Sequence, residues 1–171
     1  MTNPLTAGSP SYGRVNRQYV AMSTDQVWEF VNSRDLMIVT FVRDDGYPHA
    51  TPVWFCTVDR RVYFRGSSRK VKFRFADEAH ACCVWESGRR YLELKGVVMW
   101  GTTRIVTSPS LVSTVGQVIE DKYSDQIWKP SEVPKDWVAW KNTDSMTLVE
   151  FSPGRVSSWD NSKLDGWTLD R

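Results

Sequence analysis

Residues 36–66 read LMIVTFVRDDGYPHATPVWFCTVDRRVYFRG. Three runs rich in β-branched and aromatic residues, 36–42, 48–58 and 61–65, are separated by short segments that contain RDDG and DR. Connections of this length join antiparallel strands, because a parallel pair needs a crossover of a dozen residues or more. The stretch therefore predicts an antiparallel meander of three strands.

The remainder of the chain extends this strand-rich pattern. HACCVWE at 80–86 and the long run at 90–106 are predicted strands on either side of the turn SGR, and the glycines at 96 and 101 predict bulges or bends. SMTLVEFSP and GRVSSWD predict two last strands. Ser23 with Gln26 fits a capping box, and Ser108 begins a second segment with helical spacing. The predicted fold is mainly β (α+β), an antiparallel barrel of six to seven strands with a few peripheral helices.

Composition fits one globular domain. The chain has 171 residues, of which 41% are hydrophobic and 13% aromatic, with nine Trp. Residues 1–17 are rich in Pro, Gly, Ser and Asn and predict a flexible N-terminal arm, which leaves 18–171 as a single domain. No stretch approaches the 18 or so apolar residues of a membrane span. The three Cys show no paired spacing, so we expect reduced thiols in a cytoplasmic protein.

Positive charge is concentrated in residues 60–74, where seven of fifteen residues are Lys or Arg and none is acidic. A helix is predicted to start at Ser68, which places Arg69 and Lys70 in its first turn, where the helix dipole disfavours cations. Free amides at a helix start attract anions, and the hydroxyls of Ser67 and Ser68 stand beside them. We therefore interpret Ser67, Ser68, Arg69 and Lys70 as a phosphate cradle.

Two other interpretations of the basic segment stay open at this point. It could be a solvated helix face, although the charges begin before the helix and Asp77 and Glu78 lie at the end that the dipole disfavours for acids. It could also bind nucleic acid, because aromatic residues alternate with the basic ones. A single cluster on a chain with 22 basic and 20 acidic residues is a small footprint for a polymer.

The two histidines and three cysteines show no zinc-site spacing, and His80 is predicted to cap the basic helix.

Three segments together resemble a known superfamily. They are MIVTFVRDDGYPHATPVWF at 37–55, VYFRGSSRKVKFRF at 62–75 and CCVWESGRRYLELKGVV at 82–98. Their order and spacing resemble the pyridoxamine 5'-phosphate oxidase-like superfamily of flavin-binding split barrels, over roughly residues 23 to 107. The resemblance lies in the order of five features along the chain, which are a strand, a DG-x-PH turn, a PVWF strand, a Ser-Arg-Lys helix start and a hairpin.

The resemblance implies a six-stranded split barrel and a homodimer with one cofactor per subunit at the interface. The cofactor is usually FMN and in some branches a deazaflavin, coenzyme F-420. Arg69 and Lys70 would hold its phosphate beside Ser67 or Ser68, and the backbone around Pro52, Val53, Trp54 and Phe55 would edge the isoalloxazine ring. Tyr91 stands where the oxidases have Gln in an Arg-Gln-Val run, which implies that it reaches the partner's cofactor.

The expected function is therefore that of an FMN-dependent oxidoreductase acting on an unidentified small molecule, with no membrane or nucleic-acid partner and no metal. The sequence RYL departs from the Arg-Gln-Val run, and the C-terminal motif that binds the substrate phosphate of the oxidases is missing. Both departures argue against vitamin B6 as the substrate. Two alternatives remain, a deazaflavin-dependent reductase and a flavin- or haem-binding protein without turnover. No side chain is assigned as a catalytic acid or base, because the flavin ring itself performs the redox chemistry.

Overall fold

The computed structural model describes residues 17–67, 79–124 and 146–165. Short 3₁₀ helices occupy Tyr91–Glu93 and Asn161–Leu164. The helices are α1 (Arg17–Val20), α2 (Thr24–Asn32) and α3 (Pro109–Lys122), and the strands are β1 (Leu36–Val42), β2 (Pro48–Val58), β3 (Arg61–Ser67), β4 (Ala79–Glu86), β5 (Lys95–Ile105) and β6 (Met146–Asp160).

The six strands form a closed barrel in the order β1-β2-β3-β6-β5-β4, and every neighbouring pair is antiparallel. The predicted meander is confirmed as β1, β2 and β3. Its second turn places Asp59 and Arg60 at φ 50° and 58°, and two consecutive left-handed residues are typical of the tight hairpin turn that matches strand twist. Closure comes from the pairing of β1 with β4, which removes the sheet edges that would otherwise stay open to other chains.

Alternation along the strands builds the interior of the barrel. Met37, Val39 and Phe41 of β1 are buried, whereas the residues between them are more exposed. Side chains of a strand point alternately to opposite faces, so one face of each strand lines the interior. The interior cluster also takes in apolar side chains of α2, namely Val27, Phe30 and Val31. Full burial of one such side chain stabilises the fold by about 1.5–3 kcal/mol.

A second cluster lies outside the barrel, between α3 and the sheet. Val115, Ile119 and Tyr123 lie on one face of α3 or just after its end, and they pack on Cys56, Tyr63, Val106 and Leu148. The helical spacing that predicted α3 is thus the spacing of its buried face. The capping box of α2 is also confirmed, because the Ser23 hydroxyl accepts from the Gln26 amide and the Gln26 side chain accepts from the Ser23 amide.

Two predicted boundaries are wrong. The two last strands are one continuous strand, β6, which pairs with the full length of β5 and passes a bulge opposite Trp100 and Gly101. Residues 90–94 are not strand, because the Glu93 carboxylate accepts hydrogen bonds from the backbone amides of Arg89 (2.9 Å) and Arg90 (3.3 Å) and holds the chain in a 3₁₀ turn. The barrel therefore has six strands, the lower of the two numbers predicted.

The three thiols are free. Cys82 is fully buried inside the barrel and Cys83 is half-buried on the opposite face, as expected for neighbouring residues of a strand. No helix in the described ranges has the length and apolar character needed to cross a bilayer. The predicted arm of residues 1–17 lies outside the described residues, except for Arg17, with which α1 begins.

Candidate functional site

The β2 segment Pro52–Phe55 has two distinct faces. Val53 and Phe55 are buried in the barrel, whereas Pro52 and Trp54 are exposed on its outside. Only Pro52 and Trp54 could therefore offer side chains to a ligand outside the barrel. An aromatic ring and a pyrrolidine ring make a flat apolar surface of the kind on which a planar ring system packs.

Tyr123, at the end of α3, fixes this part of β2. Its hydroxyl accepts from the Phe55 amide (2.8 Å) and shares its one proton between the carbonyls of Phe55 (2.7 Å) and Asp35 (2.8 Å). Its ring stacks on Trp54 with centroids 5.2 Å apart and an interplanar angle of 17°. Burial raises the pKa of Tyr123 to about 12, so the hydroxyl keeps the proton that it donates. The sequence prediction did not single out Tyr123, although it continues the spacing of Val115 and Ile119.

Lys122 reinforces the same region. Its ammonium group donates to the carbonyl of Arg34 (2.6 Å) and lies 4.1 Å from the centre of the Phe55 ring. Partial burial lowers the pKa of Lys122, because desolvation disfavours the charged form. The carbonyl and the ring face supply partial negative charge in place of water. Together, Lys122 and Tyr123 tie the end of α3 to β2 and to the residues just before β1.

The predicted cradle begins where β3 ends. Ser67 is the last residue of β3, and Ser68, Arg69 and Lys70 lie outside the described residues, as does the predicted helix that follows them. Phe55 pairs with Phe64. Pro52 is three residues before Phe55, and Ser67 is three residues after Phe64. Because the two strands are antiparallel, both steps lead in the same direction along the sheet. The outer surface of β2 and the start of the cradle therefore lie towards the same end of two adjacent strands.

Tyr91 lies apart from these residues, in the connection between β4 and β5. Its side chain is 60% exposed, and its carbonyl accepts from the Asn161 side chain (3.0 Å). Among the described contacts, none joins Tyr91 to Pro52, Trp54 or Ser67. An exposed tyrosine on an anchored backbone is free to contact a second molecule, but within one subunit the described structure does not bring it to the β2 surface.

Large apolar side chains cover the outside of β2, β1, β4 and β5. Leu36 pairs with Trp54, and the register of β1 with β4 puts Trp85 on the other side of Leu36. Trp100 lies on β5, two outward-facing positions along that strand from the residue that pairs with Trp85. All four residues are 39–47% exposed in the part of the chain that the structure describes. We call Leu36, Trp54, Trp85 and Trp100 the outer apolar face.

The histidines lie together at one end of the barrel interior. The Phe41 ring lies between them, with centroid distances of 4.8 Å to His49 and 5.9 Å to His80. His80 is a buried residue of β4, and its Nδ1 lies 3.4 Å from the Thr103 hydroxyl. The predicted role of His80 as a helix cap is therefore wrong. Among the described residues, no group of three or more His, Cys, Asp or Glu could hold a metal ion.

A closed six-stranded antiparallel barrel with helices at its outside, a basic segment directly after β3 and an exposed aromatic surface on β2 defines a split-barrel protein. The family model described as pyridoxamine 5'-phosphate oxidase matches residues 23–160. The chain belongs to this family. Comparison with curated proteins gives no match.

Solved structures share the fold at low sequence identity. A conserved hypothetical protein from Mycobacterium tuberculosis is 22% identical, with a TM-score of 0.71 over 89% of this chain and 93% of that one. An FAD-binding protein from Mycobacterium smegmatis is 16% identical, with a TM-score of 0.62 over 81% and 94%. HutZ, a haem storage protein from Vibrio cholerae, is 12% identical, with a TM-score of 0.60 over 78% and 92%. At these identities the likeness establishes the fold.

Proposed function

We propose that the protein is a flavin-dependent oxidoreductase that binds FMN at the interface of a homodimer. The observation that carries the proposal is the family match over residues 23–160, which includes both the predicted cradle and the exposed surface of β2. Two of the similar structures are described as FAD-binding proteins, which supports a flavin on this fold. A bound flavin would supply hydride or electron transfer to or from a small molecule, and the protein would supply binding and orientation.

The residues at hand suit the two ends of a flavin mononucleotide. Arg69 and Lys70 offer charge-assisted hydrogen bonds to a phosphate, and Ser67 and Ser68 add hydroxyl donors. Trp54 offers an aromatic surface outside the barrel, and its stacking on Tyr123 holds that surface in one orientation. The proposed site thus joins a cationic end to an apolar end along two adjacent strands.

The homodimer is proposed from the outer apolar face. Monomeric proteins rarely expose contiguous apolar patches of more than a few hundred Å². The outer apolar face carries three Trp and a Leu across neighbouring strands, and uncharged residues such as Pro52, Ile38 and Val98 lie in the next row. A second copy of the chain can cover such a face with the same face under two-fold symmetry. Tyr91 of each subunit would then reach towards the other subunit's cofactor, which explains why it stands apart within one chain.

The fold also admits the haem-binding alternative, since one similar structure is a haem storage protein. Both histidines of this chain, however, pack around Phe41 at the barrel interior, and His80 is buried. An axial ligand would have to leave that packing, so the flavin proposal is preferred. The deazaflavin alternative uses the same cradle, and the visible absorption spectrum of the purified protein distinguishes the three pigments.

The phosphate cradle supplies the direct test. Each charge-assisted hydrogen bond contributes about 1.5–3 kcal/mol. We therefore expect the double variant Arg69→Ala, Lys70→Ala to weaken FMN binding about a hundredfold or more. Riboflavin, which lacks the phosphate, should bind the native protein far more weakly than FMN. The control is Arg43→Ala, which removes a surface cation paired with Asp45 and should leave FMN affinity unchanged. Equal affinities for FMN and riboflavin would remove the basis for the cradle.

A further inference from the structure

A second cationic site lies on the outside of β3, β6 and β5, around the Glu150 carboxylate. Arg104 donates to both oxygens of Glu150, from Nε to Oε1 (3.0 Å) and from Nη2 to Oε2 (2.8 Å). Arg61 donates from Nη1 to Oε1. The hydroxyls of Tyr63 (3.0 Å) and Ser152 (3.1 Å) complete the shell. The carboxylate accepts five hydrogen bonds and its side chain is 1% exposed.

Each guanidinium group is hydrogen-bonded to Glu150 on one side and is partly exposed to solvent. Both bind the same oxygen of Glu150, which keeps them close together, yet their side chains are 48% exposed for Arg61 and 58% for Arg104. A guanidinium has five N–H donors. Arg104 uses two of them in the described contacts and Arg61 uses one. The remaining donors of both groups make no hydrogen bond to another residue of the described ranges, and both side chains are about half exposed.

The charge of the cluster is not balanced. Two guanidinium groups face one carboxylate, and among the described residues no second carboxylate pairs with either arginine. Burial alone would raise the pKa of Glu150, but the hydrogen bonds from Arg104, Arg61, Tyr63 and Ser152 together lower it to about 2, so the carboxylate stays ionised at ordinary pH. Burial and the bond to Glu150 raise the pKa of Tyr63 to about 12, so its hydroxyl stays neutral. The cluster therefore keeps one net positive charge across the physiological range.

We propose that Arg61 and Arg104 form a binding site for the oxyanion of a small molecule, a phosphate or a carboxylate group. Paired guanidinium groups match both kinds of oxyanion through parallel N–H donors. Because Glu150 already fixes the two side chains, a ligand does not have to order them on binding. The site is distinct from the predicted cradle, since Arg61 and Ser67 stand at opposite ends of β3, about 20 Å apart at the usual rise per residue. The proposal does not depend on flavin binding.

The test observes the arginine Nε–H groups by two-dimensional nitrogen–proton NMR while inorganic phosphate replaces chloride at constant ionic strength. The bond to Glu150 protects the Arg104 Nε–H from exchange, so its signal reports on this site and not on the cradle. We expect a saturable shift of that signal in the native protein. Arg61→Gln should raise the half-saturating phosphate concentration about tenfold or more, since one charged donor group is lost.

Arg43 provides the matched control, because it pairs one to one with Asp45. Its own Nε–H signal should show no saturable shift, and Arg43→Gln should leave the Arg104 titration unchanged. A parallel titration with acetate separates the two oxyanions, and the one with the lower half-saturation identifies the class of ligand. Two results would overturn the proposal. One is an Arg104 signal whose shift rises linearly with the concentration of both anions and does not saturate. The other is a half-saturating phosphate concentration that Arg61→Gln does not change.

Discussion

Replacing Tyr123 by Phe tests how the surface of β2 is held in place. The substitution keeps the ring that stacks on Trp54 and removes the hydroxyl. The buried Phe55 amide then loses its acceptor, and the carbonyls of Phe55 and Asp35 lose a shared donor. An unsatisfied buried polar group costs about 1–3 kcal/mol, so we expect Tyr123→Phe to reduce the free energy of unfolding by about 2–3 kcal/mol. For a chain of this length the corresponding fall in Tm is about 4–12 °C.

Urea unfolding followed by far-ultraviolet circular dichroism measures this change, with the dependence on urea concentration as a check that the unfolded state is unaffected. Tyr47→Phe is the matched control, because Tyr47 is 70% exposed. Its unfolding free energy should stay within about 0.5 kcal/mol of that of the native protein. Equal stabilities for Tyr123→Phe and Tyr47→Phe would show that the hydroxyl of Tyr123 does not secure β2. In that case the orientation of Trp54 would need another explanation.

Two further predictions concern the sheet. The pKa of Glu150 falls from its ordinary value of 4.5 to about 2 on folding, so its contribution to stability is present above pH 4.5 and is lost as the pH falls towards 2. Glu150→Gln should therefore make the free energy of unfolding fall less steeply between pH 4.5 and 2 than it does in the native protein. A Cβ at residue 96 would lie 2.1 Å from Cζ2 of Trp159, so Gly96→Ala should cost about 1–3 kcal/mol in urea unfolding. Gly116→Ala in α3 meets no atom within 4 Å and should be neutral or stabilising by up to about 1 kcal/mol, and equal effects of the two substitutions would contradict this packing.

Local signals were sufficient for much of the barrel. The bounds of β1 and β2 follow from apolar runs that end at turn residues, and the capping box at Ser23 follows from two residues three positions apart. Pro153 and Gly154 misled the prediction for β6, because they are typical turn residues. The long pairing with β5 carries the strand through them as a bulge, and pairing between distant strands is not visible in a local window.

The candidate site likewise has parts that the sequence could predict and parts that it could not. The alternation at Pro52–Phe55 could have shown in advance that only Pro52 and Trp54 face outward. The bonds of Tyr123 to Phe55 could not be foreseen, because 68 residues separate the two. The same holds for the cluster around Glu150, which is 89 residues from Arg61. The concentration of basic residues at 60–74 indicated the cradle and the family resemblance indicated Tyr91, and both assignments stay predictions.

Sedimentation velocity, recorded at once in the protein band and in the visible flavin band, tests the central proposal most directly. If two subunits together build each site, FMN should sediment with a species of twice the mass of one chain, with one flavin per subunit. Dilution in the absence of FMN should release more monomer than dilution in its presence, because a ligand that binds only the assembled state stabilises it. Flavin that sediments with a single chain would place the whole site within one subunit and would contradict the roles proposed for the outer apolar face and Tyr91.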